Sequence, residues 1–355
     1  MKLFTVGPVE MYEETRVVRG KQLPYFRTPE FSDMMLEADE LLKKMISAQQ
    51  GAKTIYLTAS GTGAMEATIM NCFDEKDKIL VINGGGFGAR FVQICKVHNI
   101  CCDEIKVGFE ENITEEKLRL YAQGGYTGLL VNIHETSIGK IYPIEIISDF
   151  CKKNNLYLIV DAISSVFADE YDMQKYNIDA TIFSSQKALS LAPGMSVVVL
   201  SPRIIEERVN KKIVRSMYFD FKDYIYNFQR GQTPFTPAVG VFIEFYNMIK
   251  YIQSIGIENK IEETRVRAMK FREKAQELGF EIPKFEKSNA LTPILFEEKG
   301  KLVYSILKEK YGYIVTPSGG EFAERILRVG HIGNLNDEDG LQLLNAMRKV
   351  VDELK

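Results

Sequence analysis

The chain has 355 residues, with 45 Lys+Arg against 48 Asp+Glu, a net charge of −3, 45% apolar residues and no Trp. That balance excludes a broadly basic chain and gives no footing for a nucleic-acid or membrane-surface partner. Gly (26) and Pro (11) stand at ordinary levels, which excludes a fibrous or disordered chain. The length corresponds to about two domains of roughly 150 residues each.

The N-terminal stretch MKLFTVGPVE has no continuous apolar segment, so no secretory signal is expected. No apolar run approaches the ~18 residues that span a bilayer. The cysteines are Cys72, Cys95, Cys101, Cys102 and Cys151, an odd number whose spacing matches no zinc motif. A reduced, cytoplasmic protein without a metal is the expectation.

Apolar runs at Thr54–Leu57, Lys78–Ile82, Gly128–Ile133, Leu156–Val160, Ala180–Phe183 and Ser196–Leu200 read as strands. They lack polar alternation, as strands covered on both faces do. Helical stretches such as Gly63–Cys72 and Gly88–Val97 lie between them. This pattern predicts a largely parallel, doubly wound α/β sheet. After Pro237 the texture changes. Long amphipathic helices are expected over Val239–Ser254 and Glu262–Leu278, the second stopped by Gly279. Strand-like Leu291–Phe296, a helix over Gly300–Lys310, strand-like Ile326–Val329 and a helix over Asp337–Leu354 follow. They describe a smaller α+β domain. The expected division is 15–250 for the large domain and 251–355, joined by 1–14, for the small one.

Several segments carry chemistry. Ser60-Gly61-Thr62-Gly63 turns from a strand into a helix, where free N–H groups attract an anion; an ordinary helix cap uses the same residues. Gly84, Gly86 and Ala89 satisfy the G-x-G-x-x-[G/A] dinucleotide pattern, with Asp103 or Glu104 near the offset of a ribose-binding acid. This loop is the basis of an alternative reading as an NAD-dependent oxidoreductase, although it equally presents Phe87 as a stacking face. His134-Glu135-Thr136-Ser137 lies at a strand's carboxyl end, where open α/β sheets bind ligands. Asp161 follows a buried strand and needs strong donors or a cation. Lys187, in Ser184-Ser185-Gln186-Lys187, also follows a buried strand, and desolvation there favours amine chemistry with carbonyls. The strands of Asp161 and Lys187 are expected to be neighbours joined through one helix. An anion cradle, an aromatic face, a buried carboxylate and a desolvated lysine are together the parts that hold pyridoxal phosphate.

With these residues in order, the sequence resembles the class V aminotransferases of fold type I, especially the alanine–glyoxylate/serine–pyruvate and 2-aminoethylphosphonate–pyruvate group. The resemblance runs from Gly7-Pro8 and Arg27-Thr28-Pro29-Glu30-Phe31, through the segments above, to Arg328-Val329-Gly330-His331. It implies a pyridoxal-phosphate-dependent transaminase that moves an amino group from an amino acid or small amine to an α-keto acid such as pyruvate or glyoxylate. By this resemblance Lys187 forms the Schiff base with the cofactor and Asp161 pairs with its ring nitrogen. Phe87 stacks on the ring, Ser60, Gly61 and Thr62 hold the phosphate, Thr136 approaches the ring oxygen, and Gln186 contacts the cofactor beside the lysine. Thr236 reaches the phosphate of the other subunit, which implies a homodimer with a shared active site. Arg328 clamps the substrate α-carboxylate, and Arg27 is a candidate for the distal contact. Two positions depart from the family pattern, Phe26 and Ile138. Cysteine desulfurases share the fold but place His before the lysine and a cysteine in a late loop. Here Gln186 precedes Lys187 and no cysteine follows Cys151, which argues against that activity.

Overall fold

A computed structural model describes residues 1–354. Its largest sheet has seven strands. In chain order these are β1 (Lys53–Leu57), β2 (Lys78–Asn83), β3 (Cys101–Lys106), β4 (Gly128–Asn132), β5 (Tyr157–Asp161), β6 (Ala180–Ser184) and β7 (Ser196–Leu200). They lie side by side as β1-β7-β6-β5-β4-β2-β3, all pointing one way except β7.

The apolar runs are explained by cover on both faces. Ile79 and Val81 of β2 pack into one buried cluster, while Leu80 and Ile82 pack into another. β5 divides in the same way, with Ile159 on one side and Leu158 and Val160 on the other. A strand buried on both sides gains from apolar residues at every position, so its sequence shows no alternation.

β3 was not among the apolar runs. It is an edge strand, paired only with β2, and carries Asp103, Glu104 and Lys106 with largely part-exposed residues. Polar side chains on an edge also guard against pairing with another chain. The connection from β5 to β6 differs from expectation too. It contains no α-helix and runs as a series of turns, with Phe167 and Asn177 at φ +66° and +48°. Its backbone is satisfied by neighbouring segments instead. Met173 N donates to Ile46 O, and Asp169 accepts from Asn289 N at 2.7 Å.

A second, three-stranded sheet comprises β8 (Leu291–Leu295), β9 (Thr316–Pro317) and β10 (Ile326–Gly330), with β10 in the centre. The helices Ile257–Glu277 and Asp337–Glu353 cover it, and Phe271, Ile294, Leu327, Val329 and Leu343 share one core with Phe4. The first helix is followed by Gly279 at φ +79°, the left-handed turn that a glycine accepts without strain. The N-terminus joins this part of the chain. Lys2–Leu3 pairs with Tyr313–Ile314, and Gly330 N donates to Phe4 O at 2.8 Å.

Candidate active site

The carboxyl ends of β4, β5 and β6 bring the candidate chemistry together. Asn132 and Asp161 sit opposite each other in register at the ends of β4 and β5. The Asp161 carboxylate accepts from Asn132 Nδ2 and from Ile163 N, each at 2.9 Å. Burial pushes its pKa up to about 6, against the pull of those two donors. Lys187 stands in the turn after β6, where Ser190 N donates back to Lys187 O. Its Nζ donates to the carbonyl of Val6, 181 residues away in sequence, at 2.8 Å. Burial draws the amine down to about 8; Asp161 opposes that shift and Arg328 adds to it. The Lys187 amine therefore feels the charges of both Asp161 and Arg328.

Gly7 lines the lysine. A Cβ placed on it would lie 2.5–2.7 Å from Lys187 Cδ, Nζ and Cε, and its φ is +130°. Only glycine lets the N-terminal segment pass so close to the amine.

The segment after β4 forms the next wall. Thr136 Oγ1 lies 2.5 Å from Ser164 Oγ, which in turn lies 2.9 Å from His134 Nδ1. His134 is fully buried; burial lowers its pKa to about 3, so the imidazole is neutral. Arg328 reaches this wall from β10. Its Nη1 donates to Thr136 O at 2.9 Å and its Nη2 to Pro317 O at 2.8 Å. Both partners are carbonyls, and Nε, although buried, has no partner among the described residues. A buried guanidinium held by neutral acceptors is a ready site for an anionic group.

Two helix starts complete the site. Ser60 caps the helix Gly61–Cys72, its Oγ accepting from Gly63 N at 3.3 Å. A Cβ on Gly61 would lie 2.5 Å from Ile163 Cδ1 and 3.3 Å from Ser184 Oγ, so this start is packed against the loop after Asp161. Thr62 Oγ1 accepts from Arg90 Nη1 at 2.9 Å, and the Arg90 guanidinium lies 5.1 Å from the centre of the Phe87 ring. The second start is the helix Gly86–Val97, with Phe87 half-buried in its first turn.

The dinucleotide reading fails at this second start. The N–H groups that a pyrophosphate would need already face Glu135: Phe87 N donates to Oε1 at 3.3 Å and Gly88 N to Oε2 at 3.0 Å. A protein carboxylate thus holds the place of the anion. Both acids proposed for the ribose are engaged as well. Glu104 accepts from Asn83 Nδ2 at 2.7 Å, and Asp103 accepts from Tyr126 at 2.7 Å beside Lys78.

Three other expected residues make no hydrogen bond to Asp161, Lys187 or Arg328. Arg27 donates to Gln232 Oε1 at 2.9 Å and to Pro234 O at 3.3 Å. Thr236 is exposed, and its carbonyl lies 3.5 Å from Thr58 Oγ1, close in sequence to Ser60. Gln186 is half-buried beside Lys187. Conversely, Asn132 and Arg90 belong to the site without having been singled out. Asn132 carried a signal, a polar residue ending a buried strand; Arg90, on a helix face, carried none.

Comparison with known proteins agrees with this geometry. The family model for aminotransferase class-V matches residues 15–326. An aminotransferase of Helicobacter pylori is 30% identical, with 100% of this chain and 95% of that protein covered. The L-aspartate–glyoxylate aminotransferase of Paracoccus denitrificans is 26% identical, with 99% and 91% covered. The crystal structure of alanine–glyoxylate aminotransferase from Nostoc sp. superposes with a TM-score of 0.92 at 24% identity over 98% and 94% of the two chains, a likeness of fold. The residues present suit pyridoxal phosphate. Buried polar atoms without a partner among the described residues (Asn132 Oδ1, Ser184 Oγ, Ser165 Oγ, Arg328 Nε) belong to the segments that carry Asp161, Lys187 and the carbonyl-bound guanidinium. The chain belongs to the class-V aminotransferase family, whose cofactor is pyridoxal phosphate.

Proposed function

We propose that the enzyme moves an amino group from an amino acid or small amine to an α-keto acid such as pyruvate or glyoxylate, with Lys187 as its catalytic amine. The observation that carries this reading is the placement of the Lys187 amine, in the turn after β6 next to β5 and its buried Asp161, with Arg328 reaching the adjoining wall from β10. Pyridoxal phosphate, when bound, supplies an aldehyde that condenses with amines and a ring that accepts the electron pair left on the α-carbon.

The chain's own residues do the rest. Ser60, Gly61 and Thr62 hold the phosphate with the N–H groups and hydroxyls of a helix start. Phe87 covers one face of the ring, and Gln186 contacts it beside the lysine. Asp161, buried and braced by Asn132 and Ile163 N, keeps a proton on the ring nitrogen. Thr136, linked to Ser164 and His134, offers a hydroxyl to the ring oxygen. Arg328 takes the substrate carboxylate through two N–H groups of its fork. Once its amine is free, Lys187 would take the proton from the substrate's α-carbon and return it in a 1,3-shift, two atoms away across the substrate nitrogen. An amine held near 8 does both at neutral pH, because each protonation state is accessible. Arg27 is assigned the distal end of the substrate, reached by release from Gln232.

The working unit in this reading is a homodimer, each subunit lending Thr236 to the phosphate site of the other. The exposed Thr236, Ile213 (88%) and Met217 (80%) support it, as does Tyr218, stacked on Phe235 at 5.0 Å and bonded to Thr58 O. The five free thiols support a cytoplasmic location. A smaller domain accords with a core of its own around β8–β10 and Phe4, while the expected boundary at 250/251 falls inside the helix Val239–Ile255, whose Ile252 packs in the large core, as does Val9 of the 1–14 segment.

Borohydride reduction followed by peptide mapping tests the assignment. The cofactor should be trapped on the peptide containing Lys187, and Lys187→Ala should abolish both the trapped adduct and turnover. Turnover near the wild-type rate in that variant sinks the assignment.

A further inference from the structure

Glu135 has no role in the mechanism above, yet it joins most of its parts. It is fully buried, and four donors converge on its carboxylate: Phe87 N, Gly88 N, Ser137 N and Ser137 Oγ. Ser137 Oγ also accepts from Gly86 N at 3.1 Å, so three consecutive N–H groups of the Phe87 helix start are bound by this pair of residues. The fit is tight. A Cβ on Gly85 would lie 2.6 Å from the Glu135 carboxyl carbon. On its other side the same segment meets the second sheet, because Thr136 O accepts from Arg328 Nη1 of β10 and Ser137 O accepts at 2.7 Å from Oγ of Ser318, the residue after β9.

We propose that Glu135 is a positioning residue for the transamination: its carboxylate sets the angle of the Phe87 ring, and its buried charge offsets that of Arg328 at the carboxylate site. The first half follows from geometry. Phe87 and Gly88 have their backbone N–H groups pinned to two oxygens of one rigid side chain, and the Phe87 Cα follows them. The second follows from burial. Among the described residues no carboxylate bonds to Arg328 directly; Glu135 adjoins Thr136, whose carbonyl holds Nη1 at 2.9 Å, and is the acid whose charge reaches the guanidinium. Removing the charge while keeping the shape therefore has two opposite effects. It loosens the aromatic wall, and it leaves Arg328 more attractive to an incoming carboxylate. A residue that only supports the fold has no reason to produce the second.

This inference rests on the roles given above to Phe87 and Arg328. The test uses holoenzyme of wild type, Glu135→Gln, Ser137→Ala and Phe87→Leu. Visible circular dichroism of the bound cofactor reads the ring's setting, and propionate, a carboxylate with no amine, probes the Arg328 site. In Glu135→Gln the dichroism should fall by about half, kcat should fall about 10-fold, and propionate should bind at least 3-fold more tightly. Phe87→Leu should reproduce the change in dichroism without the gain in propionate affinity. Ser137→Ala, which keeps the charge, should give a smaller dichroic change and unchanged propionate binding; should Glu135→Gln not fold, Ser137→Ala carries the positioning half, and tighter propionate binding in it, with the charge kept, overturns the charge offset. Unchanged dichroism in Glu135→Gln where Phe87→Leu changes it overturns the positioning role. Unchanged or weaker propionate binding overturns the charge-offset role. If Phe87→Leu leaves the dichroism unchanged, the assignment of Phe87 to the cofactor fails instead, a result distinct from either.

Discussion

Replacing Gly7 by Ala tests whether the N-terminal segment sets the position of the catalytic amine. The new methyl would lie 2.5–2.7 Å from three atoms of Lys187, whereas ordinary contact begins at 3.4 Å. The lysine must then retreat by about 0.8 Å, and a displacement near 1 Å at a reacting group costs about 100-fold in rate. A second effect is backbone strain, since φ +130° suits a non-glycine residue poorly and costs about 1–3 kcal/mol. Gly194→Ala separates the two. Its φ is +136°, but a Cβ there finds its nearest atom, Val241 Cγ2, at an unstrained 3.6 Å. Both variants should melt earlier than wild type. Only Gly7→Ala should lose about two orders of magnitude in the rate of a single half-reaction, followed by the cofactor's visible absorbance. A Gly7→Ala rate within 3-fold of Gly194→Ala, with both proteins folded, refutes the argument that this close approach positions Lys187.

Two further outcomes follow from the site's charges. Arg328→Lys exchanges a planar fork for a point charge. The loss of one charge-assisted hydrogen bond, about 1.5–3 kcal/mol, should raise KM for a carboxylate-bearing donor about 10- to 100-fold with a smaller change in kcat. An unchanged KM would place the carboxylate elsewhere. For Lys187, burial lowers the pKa from 10.5 to about 8, so after removal of the cofactor the amine is protonated and inert below pH 8 and neutral above it. Reductive methylation of the Lys187 peptide should show a midpoint near pH 8. Asp161 opposes the shift, so Asp161→Asn should move that midpoint lower, and a movement upward contradicts the coupling. The linked stability has a fixed sign. Between about pH 8 and 10.5 the unfolded chain binds more protons at this position, so folding becomes more favourable as pH rises through that window.

What the sequence by itself determined is local. β4 to β7 are legible because strands covered on both faces must be apolar throughout, and Asp161 and Lys187 stand out because polar groups end those runs. Helix stops and starts such as Gly279 and Ser60 are legible for the same reason, since capping chemistry involves residues within one turn. β3 escaped because an edge strand gains little from burial and can be spelled in charged residues. The Gly84/Gly86/Ala89 loop could be read as a strand-to-helix turn, but not what faces its N–H groups. Glu135, 48 residues from Phe87, decided that, and no periodicity encodes a contact at such a separation. The same holds for Val6 on Lys187 and for Arg328 on Thr136, 181 and 192 residues apart. Such contacts exist only once two sheets and the N-terminal segment have packed, because closing a long loop is favourable only when the cores on both sides of it form together. Tertiary structure therefore decided where the amine rests, how the guanidinium is held and which anion occupies the second helix start.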